Sequence, residues 1–132
     1  MYKLDNFKTC CDYLGIDNTL PVCQIDERQI QAAYKLRVCV RAWNKQDGFE
    51  PDETANWKDD NVGYAPFFLL KDGRLLSAGL PAPGAYTGIV AASTFYAGSF
   101  TTIYFGLRLS LKTRDRAIEF GKTFIDIFNE LI

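Results

Sequence analysis

A chain of 132 residues is the size of one domain and can bury a core without disulfide or metal staples. Its 15 basic and 16 acidic residues leave a net charge of -1, so no long-range field draws in nucleic acid or an anionic membrane. There is no histidine, so the commonest general base and the commonest zinc ligand are both missing, and neither a metalloenzyme nor a histidine-dependent catalyst is expected.

The N-terminal MYKLDNFK lacks a signal-peptide apolar region, and no stretch reaches ~18 apolar residues, so an intracellular chain without a membrane span is expected. Asp5 is the expected N-cap of a short helix through Leu14, with Phe7, Cys10, Cys11 and Leu14 inward and Gly15 as its stop. Cys10, Cys11, Cys23 and Cys39 include no CxxC pair, and adjacent Cys10 and Cys11 cannot easily serve one tetrahedral site. The expectation is structural thiols, with a disulfide or a reactive thiol as the alternative.

A second helix is expected to start at Asp26, with Gln29 completing a capping box and Ile25 and Ile30 at the staple positions. It runs to about Asn44, with Ala33, Leu36, Val40 and Trp43 on one face. Arg37, Arg41 and Lys45 form a basic ridge at i, i+4 spacing. It reads as a solvated face suited to the helix C-terminus, the alternative being an anion site. Residues 46–62 hold no period. Asp47, Glu50, Asp52, Glu53, Asp59 and Asp60 cluster there without calcium-loop spacing, and Trp57 is expected to pin this solvated loop to the core.

The β signal follows. Ala65–Lys71 and Arg74–Ala78 flank Asp72-Gly73, a two-residue hairpin turn, and Pro66 is expected at a strand start or edge. Thr87–Ser93 fits a third strand. In the fourth, Ile103, Phe105, Leu107, Leu109 and Leu111 point one way and Thr102, Tyr104, Gly106, Arg108 and Ser110 the other. Thr113 then caps a final helix. Its apolar stripe comprises Ala117, Ile118, Gly121, Phe124, Ile125, Phe128, Leu131 and Ile132, with a close backbone approach expected at Gly121. The expected architecture is one α+β domain over residues 1–132: an antiparallel sheet of about four strands packed by a C-terminal helix and a long N-terminal helix.

No phosphate-cradling GxGxxG or GxxxxGK[ST] occurs, nor a GxSxG elbow, so a non-enzymatic role without cofactor or metal is expected. The alternative is a small enzyme with an unfamiliar site. From Leu75 to Leu107 the chain carries no charged residue and is rich in Tyr, Phe, Ser, Thr, Gly and Ala. Either this segment is buried, on both faces or against another subunit, or it is a recognition surface of the adaptable Tyr/Ser/Gly kind. The expected binding residues are Tyr86, Thr87, Thr94, Phe95, Tyr96, Ser99, Thr101, Thr102 and Tyr104, and the expected ligand is a protein partner or a second copy.

Three segments carry a resemblance: QAAYKLRVCVRAWNKQDGFEPD, YAPFFLL and FGLRLSLKTRDRAIEFGKTFIDIF. They resemble a family of small proteins from gut Bacteroidetes and their phages and mobile elements. That family has a helix ending in an A-x-N-like step, an aromatic YxPWF strand, and a GSRLCFK strand before a final amphipathic helix. Ala42–Asn44 matches the first. Tyr64–Phe68 keeps the aromatics with Phe67 in place of Trp, and Phe105–Lys112 has Leu107 and Ser110 in place of Ser and Cys. The resemblance spans about residues 30–132 and implies a phage or mobile-element origin, in a host cytoplasm or on a virion, more than an activity. The GLRLSL ending after the Tyr/Ser/Thr/Phe-rich stretch is also similar to the variable region of retroelement-diversified proteins. That likeness implies a ligand-display or receptor-binding module as the second functional reading, although the long helix after Thr113 departs from their C-type-lectin fold.

Overall fold

The structure, a computed structural model, describes residues 3–50, 64–66, 69–71, 74–76, 88–90 and 109–131. The first helix, α1, is Phe7–Leu14. Its cap is Asn6 rather than Asp5. The Asn6 side-chain oxygen accepts the Thr9 N–H at 2.9 Å, and the Asn6 N–H donates to Thr9 Oγ1 at 3.4 Å, closing a capping box. Gly15, at φ 73, ends the helix in the left-handed conformation. Its N–H reaches Asp12 O, and the Ile16 N–H reaches Cys11 O at 3.1 Å, a Schellman turn.

The long helix, α2, is Glu27–Asp47. Asp26 holds the N-cap position at φ 52 and makes no side-chain cap bond, because a cap reaches the first-turn N–H groups from an extended backbone. The expected capping box and staple are therefore not formed, and Ile25 and Ile30 are 74% and 43% exposed. The helix passes Asn44, its expected end, and stops at Gly48, φ 65. There Gly48 N–H meets Lys45 O at 3.3 Å and Phe49 N–H meets Asn44 O at 2.9 Å, a second Schellman turn.

The expected α+β architecture, with a four-stranded antiparallel sheet, is overturned. The described part of the chain is predominantly helical, and its strands are three-residue segments: β1 Tyr64–Pro66, β2 Leu69–Lys71, β3 Arg74–Leu76 and β4 Gly88–Val90. β1 pairs only with β4 and β2 only with β3, both antiparallel, so no common platform joins them among the described residues. Alternation in the sequence reports a local extended period and does not choose a partner. The expected strand Ala65–Lys71 is split between the two ladders just after Pro66, a residue that cannot donate to a ladder. Lys71 opposes Arg74 across residues 72–73. The expected fourth strand lies outside the described residues except at its end, where Leu109 and Leu111 are buried and Ser110 is half-buried.

The C-terminal helix is two helices, α3 Arg114–Thr123 and α4 Ile125–Asn129. Thr113 caps α3 by accepting the Arg116 N–H at 3.1 Å. The break falls at Phe124, φ -110 and ψ 22. The Thr123 hydroxyl donates to Glu119 O at 2.8 Å, the kind of i−4 back-bond that bends a helix.

The core forms where α1, α2 and the C-terminal helices meet, around Leu36, Cys39, Trp43, Leu109, Leu111, Ala117, Phe120, Phe124 and Phe128. Trp43 is its centre. Its ring meets Phe120 and Phe124 at 5.0 and 5.7 Å, and its indole N–H donates to Leu4 O at 2.8 Å, tying the N-terminus down. α3 lies against β1 and β4, and α4 against β3 and α2. Arg116 locks the two ends of the core together: it bonds Asp47 Oδ2 at 2.8 Å and sits 4.1 Å above the Trp43 ring. No helix among the described residues is long and apolar enough to cross a membrane.

Candidate functional site

Tyr86, Thr87, Thr94, Phe95, Tyr96, Ser99, Thr101, Thr102 and Tyr104 all lie outside the described residues. Of the charge-free segment, the structure places β3's end and β4. β4 is held by β1 on one side and approached by α3.

Among the described residues, the basic ridge of α2 faces a concavity of about 570 Å³. Arg37, Arg41, Asn44 and Lys45 line one wall with Val38 and Val40. Leu14 and Ile16 from the end of α1 and Phe49 and Glu50 from beyond α2 line the rest. The two Schellman turns explain the shape. Each throws the residue after its glycine, Ile16 or Phe49, back beside the helix it terminates, and α1 and α2 end at the same end of the molecule.

The electrostatics are mixed. Among the described lining residues, three cations face one carboxylate, Glu50, and two helix C-termini that each carry about half a negative charge, roughly one net positive charge between them. The Lys45 ammonium lies 5.1 Å from the Tyr13 ring centroid, which fixes its position over an aromatic face. Like charges at i, i+4 spacing cost a helix about 0.2–0.5 kcal/mol per pair, so the Arg37, Arg41 and Lys45 series is a burden on α2 rather than a support.

Asn44 is the most unusual residue of this wall. It is the only polar or charged residue buried among those described, at 5% exposure. Its Nδ2 donates to Ser110 O at 2.7 Å, joining the A-x-N step to the FGLRLSLK segment, while its Oδ1 has no hydrogen-bond partner. A buried acceptor left unmade costs about 1–3 kcal/mol. The cations are visible in the sequence, but the groove is not. Its opposite wall comes from two helix ends distant in the chain, and no local pattern marks Asn44's orphan oxygen.

Cys10, Cys11 and Cys39 are fully buried where α1 packs on α2, and Cys23 is half-buried. All four are free thiols. Its own hydrogen bond to the Cys10 side chain, then burial, pushes the Cys39 thiol far above its ordinary range, and burial raises Cys11. These are poor nucleophiles. No group of three His, Cys, Asp or Glu side chains among the described residues is arranged to hold a metal ion. Comparison of the chain with protein-family models, with curated proteins and with solved structures finds no match.

Proposed function

We propose that the protein is a non-catalytic binding module whose charge-free segment, Leu75–Leu107, engages a protein partner or a second copy of the chain. The single observation that carries this reading is the charge-free run itself, in a chain where 23% of residues are charged. A wet protein surface ordinarily carries Lys or Glu, and an uncharged edge invites association. The helical core is a scaffold suited to presenting such a segment, since β4 is anchored on β1 and backed by α3.

Light scattering combined with denaturation of a Tyr104→Lys variant tests this. A dimer or larger species that dissociates on Tyr104→Lys supports self-association. A monomer whose stability survives Tyr104→Lys supports a surface kept for a different protein. A monomer that Tyr104→Lys destabilises by about 3 kcal/mol or more overturns the reading, because the segment is then core.

A further inference from the structure

We infer that the start of α2 is a conformational device with two arrangements of similar energy, one presenting Ile25 to solvent and one hiding it. The structure shows the first. Asp26, at φ 52 and ψ 38, is the only non-glycine residue at positive φ among those described, and its side chain makes no cap bond. The left-handed region is strained for a residue with a Cβ, though less so for Asp than for most. Local apolar burial does not offset that strain, since Val22 is 90% exposed and Ile25 74%. Two straps hold this arrangement instead. The Cys23 N–H donates to Glu27 Oε2 at 3.1 Å, and Gln31 Nε2 donates to Pro21 O at 2.9 Å. Both tie the connector before α2 onto the first turns of the helix, and Asp26 makes the sharp turn between them.

The second arrangement is written in the same residues. With residue 26 extended, the Asp26 carboxylate accepts the Gln29 N–H and the Gln29 side chain returns to the Asp26 N–H, a capping box. Ile25 then packs on Ile30, now 43% exposed, as a hydrophobic staple. The two arrangements exclude each other. Turning residue 26 out of the left-handed region re-aims the chain before it, so the Cys23 N–H leaves Glu27 and the Pro21 carbonyl leaves Gln31. Two strap bonds are exchanged for two capping bonds. Relief of strain and burial of Ile25 favour the stapled form. The carboxylate acceptor at Glu27 and the part-buried bond to Pro21 favour the open one. Opposed terms of this size leave the stapled form a minor state, at about 0.1–10%. The device lies outside Leu75–Leu107, so its fate is independent of the binding reading above.

The test is relaxation-dispersion and saturation-transfer NMR on residues 22–31 of the whole chain, with the φ of residue 26 read from backbone couplings and NOEs. The wild type is expected to show positive φ at residue 26 and exchange with a minor state across these residues. Asp26→Gly, which removes the left-handed strain and the capping carboxylate together, is expected to abolish the exchange and keep Ile25 exposed. Asp26→Thr keeps a capping oxygen but resists the left-handed region, and Gln31→Ala removes one strap. The double variant is expected to raise the stapled population at least ~10-fold, with Ile25–Ile30 methyl NOEs and a slower-exchanging Gln29 amide. Asp26→Thr alone should move the same way by less. Absence of exchange at residues 22–31 in the wild type overturns the proposal. So does a wild type already extended at residue 26, or a double variant that frays the start of α2 without forming the Ile25–Ile30 contact.

Discussion

Replacing Trp43 with Phe is the sharpest perturbation of the core. The variant keeps an aromatic ring among Phe120, Phe124 and Phe128 but removes the indole N–H that bonds the buried Leu4 carbonyl at 2.8 Å. The orphaned carbonyl costs about 1–3 kcal/mol. The smaller ring leaves part of its space unfilled and offers a weaker face to the Arg116 guanidinium now 4.1 Å away, a contact of about 0.5–2 kcal/mol. The expected loss is about 2–4 kcal/mol, read from urea denaturation followed by circular dichroism. A double-mutant cycle with Arg116→Met is expected to return a coupling of about 0.5–1 kcal/mol. A loss below about 0.5 kcal/mol for Trp43→Phe would refute the placement of this side chain at the centre of the core.

Other expectations follow from particular contacts. Asn6→Ala is expected to cost about 1 kcal/mol in thermal or urea denaturation while Asp5→Ala costs almost nothing, which separates the observed cap from its neighbour. Gly15→Ala and Gly48→Ala should each lose about 1 kcal/mol from backbone strain alone, since nothing lies within 4 Å of an added Cβ; Asn at either site should lose less. A thiol reagent is expected to modify Cys23 first and Cys10, Cys11 and Cys39 only on unfolding; rapid modification of all four in the folded state would contradict their burial. Cys39 is raised above its ordinary 9.0, so the folded state keeps a proton that the unfolded chain releases. That stability is complete below pH 9.0 and is lost as pH rises above it, by up to about 1.4 kcal/mol per pH unit. Cys39→Ala should flatten this alkaline limb, and an unchanged pH profile would count against it.

Local chemistry was legible in the sequence wherever one residue type decides a conformation. Thr113 caps α3 and Gly15 ends α1 as expected, because a hydroxyl at a cap and a glycine in the left-handed region act within a few residues of themselves. Asp26 failed as a cap because its backbone lies at φ 52, which its neighbours do not encode. α2 runs past its expected end at Asn44 because Lys45 and Gln46 are good helix formers and Gly48 supplies the stop. The four-stranded sheet failed for a different reason: Leu109 and Leu111 are buried on a shared side, yet their alternation says nothing about which segment they pair with. The groove was half-legible. Arg37, Arg41 and Lys45 declare themselves by spacing, but Ile16 and Phe49 oppose them only after two Schellman turns have formed, and the orphan oxygen of Asn44 exists only in the packed state.

Hydrogen exchange read by mass spectrometry on peptides spanning residues 75–107, at protein concentrations from low to high micromolar, puts the binding-module account to its most direct test. The account predicts fast exchange outside the β3 and β4 ladders at the lowest concentration, slowing as molecules associate or when the physiological partner is added. Full protection at the lowest concentration, unchanged on raising it, would contradict the account and assign the charge-free segment to the interior.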